Sequence, residues 1–259
     1  MVDFKEKEQY NFEDLIEIVR ILRSPNGCMW DREQTHDSIR RNFIEETYEV
    51  VEAIDTNNKE LLKEELGDVL LQVVFHASIE QDNNVFDIND VADGICKKLI
   101  YRHPHVFAST NVDSTDQILT NWDVLKQKEK NQKTVTDSLN SVAKSLPALI
   151  RAEKVQKKAS KAGFDWQNVE QTMDKVREEL VEISQASAEN INEEVGDMLF
   201  AAVNVARHLG IEPEQALEKA TDKFINRFEK VEISAGDKKL SEMSFDELVL
   251  LWKQAKESK

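Results

Sequence analysis

One acidic pattern occurs twice in this chain, and the repetition restricts the possible folds more than any other feature. Each copy has a glutamate-rich motif followed by a second acidic motif: Glu45-Glu46-x-x-Glu49 with Glu65-x-x-Asp68, and Glu178-Glu179-x-x-Glu182 with Glu194-x-x-Asp197. Acidic side chains three residues apart lie on the same face of a helix. Two such helices packed together bring four carboxylates close, and a divalent cation or protonation must relieve their repulsion. The pattern therefore predicts two metal-binding helix pairs.

Such acidic pairs also arise by chance, because 50 acidic residues in 259 produce many of them on solvated helix faces. In both copies, however, a glycine stands directly before the aspartate, at Gly67 and Gly196, and an apolar stretch follows. A glycine inside a helix costs about 1 kcal/mol relative to alanine. Its recurrence predicts the close approach of another helix or a ligand. The alternative is helix packing without chemistry.

The composition predicts an all-α protein, since the chain has only 7 glycines and 4 prolines and its apolar residues recur with helical spacing. Its 259 residues suffice for two domains of ordinary size. We expect an N-terminal domain over residues 1–127, a polar linker over 128–144 and a C-terminal domain over 145–259. Each domain is predicted to be a four-helix bundle.

Net charge and cysteine content exclude several classes of protein. A net charge of −16 argues against binding to a nucleic-acid backbone. The sequence has no signal segment and no apolar run near 18 residues, so we expect no membrane span and a cytoplasmic location. The isolated Cys28 and Cys96 support neither a disulfide framework nor a zinc site.

Helix signals place the acidic motifs on defined segments. Asn11 is a candidate N-cap for a first helix that ends near Pro25, and further helices are predicted over 37–54 and 88–102. In the second copy, Ser145-Leu146-Pro147 opens a helix that Gly163 closes. The boxes Ser114-x-x-Gln117 and Ser244-x-x-Glu247 each precede a Trp-x-x-x-Lys sequence. The chain is therefore interpreted as a divergent tandem duplication.

Cationic pairs follow the acidic motifs in both copies, as Lys98 with Arg102 and Lys223 with Arg227. Two cations on one helix face suit the binding of phosphate oxygens, although such pairs are also ordinary surface residues. Further along, the indole of Trp252 is able to stack on a base. Its helical spacing from Leu251 and Leu248 fits a core position equally well.

Ligand chemistry indicates the metal. Four carboxylates without histidine or cysteine suit Mg²⁺, with Mn²⁺ as a possible substitute. A di-iron bundle would need two Glu-x-x-His elements on facing helices, and the chain has only Glu33-x-x-His36, outside the repeated pattern. We therefore predict a magnesium site.

These motifs resemble those of the MazG-type nucleoside triphosphate pyrophosphohydrolases, which are related to other all-α NTP pyrophosphatases. The resemblance extends over essentially the whole chain. It includes the segments Gly27-Cys28-Met29-Trp30-Asp31, Glu33-Gln34-Thr35, Arg102-His103-Pro104-His105-Val106-Phe107, Ser145-Leu146-Pro147-Ala148-Leu149 and Gly163-Phe164-Asp165-Trp166. It implies hydrolysis of NTPs to the monophosphate and pyrophosphate, with dNTPs as further candidate substrates.

The resemblance also implies site residues. Expected Mg²⁺ ligands are Glu179, Glu182, Glu194 and Asp197, with Glu46, Glu49, Glu65 and Asp68 in the first copy. Expected nucleotide contacts are Lys175, Lys223, Arg227, Trp252 and Lys256, with Lys98, Arg102, Trp122 and Lys126 in the first copy. The expected catalytic residues are Glu178 and Glu179, which orient or deprotonate the attacking water, and Lys223 and Arg227, which stabilise the departing pyrophosphate.

We expect the second copy to be the better catalyst, because Pro104 ends a helix just after Arg102 whereas the helix continues beyond Arg227. Members of the resembled family form intertwined dimers, which implies a homodimer. Two alternatives stay open: a non-catalytic module that binds a nucleotide or another protein for regulation, and a helical scaffold without ligands.

Overall fold

The computed structural model describes residues 4–108, 114–129 and 132–257. The regular structure of these residues is helical throughout. The α-helices are α1 (Phe12–Arg23), α2 (Met29–Glu33), α3 (His36–Asp55), α4 (Lys59–Asp82), α5 (Ile88–Arg102), α6 (Pro104–Phe107), α7 (Thr115–Glu129), α8 (Val135–Asn140), α9 (Ala148–Lys161), α10 (Val169–Gln185), α11 (Ile191–His208), α12 (Pro213–Ala235) and α13 (Phe245–Glu257). A short 3₁₀ helix spans Leu240–Glu242. The predicted all-α class is confirmed.

Local capping explains where several helices begin. At the start of α1, the Asn11 side chain accepts a hydrogen bond from the Asp14 backbone N–H at 3.0 Å, and Asp14 accepts one from the Asn11 N–H at 3.0 Å. This capping box satisfies two amide groups that have no partner inside the helix. The same reciprocal pair forms between Ser244 and Glu247 before α13. The predicted helix starts at both places are confirmed.

The chain packs as two compact units, residues 1–125 and 126–259, with the division inside α7. In the first unit, α3 packs along α4, and α1 and α5 pack against α4. Its core contains the buried side chains of Val19, Ile39, Val74 and Phe75. In this arrangement α3 and α4, the two helices that carry the acidic motifs, form the most extensive helix pair of the unit.

The second unit repeats this plan. Helix α10 packs along α11, α9 packs against α11, and α12 contacts α13 and α9. Val203 on α11, Val231 on α12 and Ala255 on α13 are buried. The domain bounds 1–127, 128–144 and 145–259 stay a prediction. Residues 130 and 131 of the predicted linker lie outside the described part of the chain. Helix α8 lies within the predicted linker and packs against α9. Within the described residues, no helix combines the length and the apolar character needed to cross a membrane.

The turn between α1 and α2 depends on a glycine. A Cβ added at Gly27 would lie 2.1 Å from the carbonyl oxygen of Ile21 and 2.4 Å from that of Leu22. The Cys28 N–H donates to the Leu22 carbonyl at 2.7 Å, so the backbone folds back tightly against the end of α1. A side chain at this position requires the backbone to move.

We expect Gly27→Ala to lower the free energy of unfolding by more than about 1 kcal/mol, because the methyl group overlaps backbone atoms. The matched control is Gly94→Ala on α5, where nothing lies within 4 Å of an added Cβ. That change should stabilise the helix by up to about 1 kcal/mol. Urea unfolding followed by circular dichroism measures both; equal midpoints for the two variants would contradict the close approach.

Candidate functional site

The first acidic cluster lies where α3 packs along α4. Glu46 and Glu49 on α3 and Glu65 on α4 each place a carboxylate oxygen within 4.8 Å of the others. Glu65 is buried, Glu46 is partly buried and Glu49 is exposed. Asp68 is not part of this tight group, but its charge acts on both Glu46 and Glu65. The structure thus brings three of the four predicted ligands together and keeps the fourth nearby.

The second acidic cluster has the same construction at the α10 and α11 pair. Carboxylate oxygens of Glu179 and Glu182 on α10 and of Glu194 on α11 lie within 4.8 Å of one another. Glu179 is only 4% exposed. Asp197 lies outside the tight group and lines the same cavity as Glu179. The repeated sequence pattern therefore produces a repeated three-dimensional cluster.

Electrostatic repulsion is visible in both clusters. Loss of water contact, followed by the charges of Asp68 and Glu49, raises the pKa of the Glu46 carboxyl. Loss of water contact, followed by Glu49, raises the pKa of Glu65, and loss of water contact with a hydrogen bond to Glu179 raises the pKa of Glu182. Groups whose charged forms are disfavoured in this way gain from a neighbouring cation. Each cluster is therefore suited to a positively charged ligand.

Lys175 supplies one positive charge to the second cluster. Its Nζ donates to Glu179 at 2.7 Å and to Glu178 at 2.8 Å. The hydrogen bonds to Glu178 and then Glu179 raise the pKa of the Lys175 ammonium. Glu179 Oε2 nevertheless stays buried without a hydrogen-bond partner among the described residues. A buried carboxylate oxygen that lacks a hydrogen-bond partner, in a set made only of carboxylates, is a ligand atom that a hard divalent cation would bind.

A cavity of about 710 Å³ opens beside this cluster. Its lining comes from α8 to α11 and from the loop that follows α9, and it includes Lys175, Glu179 and Asp197. The lining is mostly apolar, with the aromatic side chains of Trp166 and Phe200 among it. Cavities of this size and character typically bind small organic ligands through apolar contact and a few placed polar groups.

A polar network forms one edge of the cavity. Arg207 donates two hydrogen bonds to Asp165, from Nη1 to Oδ2 at 3.0 Å and from Nη2 to Oδ1, and His208 Nε2 donates to Oδ1 at 2.9 Å. Arg207 also donates to Asn204 Oδ1 from Nε at 2.9 Å and from Nη2 at 2.7 Å. These bonds tie the loop carrying Asp165 and Trp166 to the end of α11.

The predicted cations of the second copy lie in a different place. Lys223 and Arg227 on α12 and Lys256 on α13 line a groove of about 440 Å³, together with Lys219 and Lys230. The carboxylates of the cluster are not among its lining residues. The structure therefore groups these cations with one another, and separately from the cavity beside Glu179.

The tryptophan predicted to stack on a base is packed within the protein. Trp252 is half-buried, and its ring centre lies 5.0 Å from that of Phe224 on α12. It lines neither of the two cavities described in this unit. The contact with Phe224 corresponds to the core position that helical spacing also allowed, and its role in nucleotide binding stays a prediction.

The corresponding cations of the first copy lie on α5 and α7. Lys98 is exposed on α5. The Arg102 guanidinium lies 5.7 Å from the ring centre of Trp122, in the geometry of a cation–π contact. Lys126, at the end of α7, is half-buried. Nucleotide binding by this set stays a prediction.

Histidine takes no part in either cluster. His36 Nε2 lies 2.6 Å from Glu80 Oε1, and its Nδ1 lies 2.7 Å from His76 Nδ1. Among the described residues, the two groups with spacing suited to a metal ion contain only glutamates. The ligand chemistry favours a hard ion over iron.

The glycines before each aspartate have free space around them. A Cβ built at Gly67 or Gly196 meets no atom within 4 Å among the described residues. Among the described residues, no other helix makes the close approach predicted at these positions, and both glycines are exposed. The predicted approach of a ligand stays a prediction.

Sequence reasoning did not assign the cavity or its polar edge. Asn204 stands inside the apolar stretch of α11, and a polar residue in such a stretch is a signal that it needs partners. Arg207 follows one turn later, yet only the fold brings Asp165 to it from the loop after α9. The separation of 42 residues explains why the pair was not predicted.

Duplicated all-α units with carboxylate clusters on paired helices define a class of metal-dependent hydrolases of nucleotides. The MazG nucleotide pyrophosphohydrolase domain matches this chain over residues 34–107 and 163–232. The chain belongs to the MazG family, as the sequence resemblance implied.

Named relatives support this assignment over the full length. The nucleoside triphosphate pyrophosphohydrolase/pyrophosphatase MazG of Thermotoga maritima is 45% identical over 248 residues, 95% of each chain. The nucleoside triphosphate pyrophosphohydrolase of Escherichia coli K12 is 41% identical over 251 residues, 93% of this chain and 95% of the relative. The YabN protein of Bacillus subtilis is 46% identical over 96% of this chain and 52% of its own length.

We expect Asp165→Asn to lower the free energy of unfolding by about 1–3 kcal/mol at pH 7, because charge-assisted hydrogen bonds from Arg207 and His208 are lost. Arg207 holds the pKa of Asp165 below its ordinary value of 3.8. The ionised carboxyl therefore stabilises the folded state in full above pH 3.8, the ordinary pKa that applies to the unfolded chain. This contribution is lost as the pH falls toward the lower pKa of the folded state.

Urea unfolding of wild type and variant at a series of pH values measures this effect. The difference between them should be constant from pH 7 to pH 5 and shrink below pH 4, where the carboxyl becomes protonated. Asp237→Asn, at an exposed position, is the control for a changed charge. A difference in the free energy of unfolding that grows as the pH falls would contradict the hydrogen bonds of Asp165 with Arg207 and His208.

Proposed function

We propose that the protein is a Mg²⁺-dependent nucleoside triphosphate pyrophosphohydrolase that cleaves NTPs to the monophosphate and pyrophosphate, with dNTPs as further candidate substrates. The observation that carries this proposal is the cluster of Glu179, Glu182 and Glu194 beside a cavity of about 710 Å³. Relatives along the whole chain carry the name of this activity. The cytoplasmic location and the domain bounds stay predictions.

The residues present fit a hard divalent ion. Glu179, Glu182 and Glu194 would hold Mg²⁺, with Asp197 close to them, and Glu179 Oε2 is the buried oxygen that lacks a partner. Bound there, Mg²⁺ would neutralise phosphate charge and acidify water, and Mn²⁺ would accept the same ligands. The first copy offers Glu46, Glu49, Glu65 and Asp68 for the same purpose.

The chain's own residues divide the remaining tasks. Glu178 is exposed and paired with Lys175, and we assign it the role of orienting a water or accepting its proton. Lys175 balances the charge of Glu179 and lines the cavity, where it is able to contact a phosphate oxygen. Lys223, Arg227 and Lys256 line the separate cationic groove, which suits phosphate oxygens, and their contact with the departing pyrophosphate stays a prediction.

The two copies are unequal, and the second is proposed as the main catalyst. Lys175 stands four residues before Glu179, whereas Asn42 occupies the matching position before Glu46. Likewise, Asn204 in the second copy is matched by Phe75, which is buried in the core of the first unit. The first copy therefore lacks two of the polar groups that line the cavity of the second.

This difference favours a second candidate function for the first copy alone. A carboxylate cluster without the neighbouring cation and polar edge is able to bind a metal-nucleotide complex without catalysing its hydrolysis. The first copy then acts as a regulatory binding module. Nucleotide-dependent stabilisation of this copy without turnover would distinguish it from a second active site.

We expect Glu179→Ala to lower kcat/KM for NTP hydrolysis by at least about 100-fold, because it removes a proposed ligand and the partner of Lys175. Glu46→Ala should lower it by less than about tenfold, since its cluster lacks the adjoining polar groups. Pyrophosphate release from mixed NTPs with Mg²⁺ measures both.

Glu189→Ala, at an exposed glutamate outside both clusters, is the matched control. EDTA should abolish release in every variant that is active. Equal losses at Glu179 and Glu46, or a larger loss at Glu46, would assign the main activity to the first copy or to both.

We also propose a homodimer, because the helices that carry the clusters leave apolar side chains uncovered in one chain. Ile44, Tyr48 and Val51 form an exposed stripe on α3, and Val195 and Leu199 do so on α11. Such stripes cost free energy in water and are typically covered by another protein surface. The open space at the neighbouring glycines leaves room for a close helix contact.

Light scattering at micromolar concentration should give twice the chain mass of 29.8 kDa. The double variant Ile44→Glu with Leu199→Glu should shift the mass toward that of one chain, because charges then replace apolar contacts. Val85→Glu with Val135→Glu, at exposed positions outside the stripes, should stay dimeric. A monomeric wild type would contradict the proposal.

A further inference from the structure

The lining of the cavity beside the second cluster indicates which bases fit there, provided that the protein has the proposed function. If the protein has the proposed function, Glu179 and Asp197 at one part of the lining indicate where the phosphates bind. The remaining lining is mostly apolar and aromatic, with Trp166 in the loop after α9 and Phe200 on α11, and its polar side chains include Gln156, Asn204 and Arg207. Aromatic faces of this kind stack on any base and do not distinguish one from another. Discrimination must come from the polar edge formed by Asp165, Asn204 and Arg207.

The orientation of the Asn204 amide is fixed by its neighbour. Both Nε and Nη2 of Arg207 donate to the same atom of Asn204, at 2.9 Å and 2.7 Å. An atom that accepts from two N–H groups of one guanidinium must be the carbonyl Oδ1, so the opposite atom is the amino nitrogen Nδ2. Among the described residues no hydrogen bond involves Nδ2. Asn204 therefore offers two N–H donors at the cavity lining.

The acceptors of this edge are already used. Asp165 accepts two hydrogen bonds from Arg207 and one each from His208, the Ser160 side chain and the Trp166 backbone N–H. A carboxylate has about four acceptor positions, so Asp165 has none left for a ligand. Asn204 Oδ1 is likewise engaged by Arg207. The polar edge therefore presents donors and requires acceptors from whatever enters.

We propose that this cavity receives the base of the nucleotide and that Asn204 Nδ2 donates a hydrogen bond to a carbonyl oxygen on it. Guanine and hypoxanthine carry a carbonyl oxygen at C6, and uracil and thymine carry one at C4, whereas adenine and cytosine carry an amino group at these positions. Two donors facing each other cannot form a hydrogen bond, and each loses a partner that it has in water. The second copy therefore prefers keto bases over amino bases.

The first copy has no equivalent of this selection. Phe75 occupies the position that matches Asn204, at the same distance along the helix from the Glu-x-x-Asp motif. Its ring is buried in the core of the first unit, with the Arg23 guanidinium 5.1 Å from the ring centre. A preference for keto bases is thus a property of residues 126–259 alone.

Two substrate pairs isolate the group that is read. ITP carries a carbonyl group at C6 and a proton on N1, whereas ATP carries an amino group at C6 and no proton on N1. UTP and CTP differ in the same way at C4 and N3. We expect the wild type to favour ITP over ATP and UTP over CTP by at least about tenfold in kcat/KM, since sites that hydrogen-bond a substrate group discriminate strongly. Asn204→Asp should reverse both preferences, because it exchanges a donor for an acceptor.

Asn140→Asp, exposed and outside the cavity lining, is the charge-matched control and should keep the wild-type ratios. Calorimetric binding of IMP and AMP to wild type and Asn204→Asp gives a readout that does not require turnover. Pyrophosphate release with ratios near one, or ratios unchanged in Asn204→Asp, would overturn the base assignment while leaving the proposed function intact. Absence of release from every NTP would overturn the proposed function, and IMP binding no tighter than AMP would overturn the base assignment independently.

Discussion

The mutual repulsion of carboxylates held together by paired helices is the constraint on which the rest of the structure depends. Packing of α3 on α4 and of α10 on α11 brings three glutamate oxygens within 4.8 Å in each unit. Burial of Glu65 and Glu179 strengthens the repulsion, because less water screens the charges. The fold keeps these groups together at a cost in stability, and such an arrangement is most readily explained by a ligand that carries positive charge.

Duplication supplied two such clusters, and their surroundings then diverged. In the second unit a lysine pairs with the buried glutamate, and a cavity with a polar edge lies next to it. In the first unit the matching positions hold Asn42 and the core residue Phe75. The carboxylates alone therefore do not decide what each copy does. The neighbouring side chains determine which ligands fit and how much charge the site tolerates.

Much of the helical framework was predictable from the sequence because its signals are local. Asn11 caps α1 as expected, and α5 spans Ile88–Arg102 as predicted, since capping and helical periodicity depend on residues only a few positions apart. The acidic clusters were predictable for the same reason, with repetition as the additional signal. The position of Trp252 was not decided, because a stacking surface and a core anchor have the same spacing in a helix.

The sequence by itself determined the all-α class, the duplication, the family and the chemical type of the ligand set. These properties follow from local periodicity and from the repeated order of residue types. Only the tertiary structure decided that Asp165 meets Arg207 across 42 residues, that Asn204 lines a cavity with its Oδ1 bound by Arg207, and that the cations of α12 form their own groove. Such contacts depend on how helices pack, and side chains far apart in the chain leave no periodic trace of that packing.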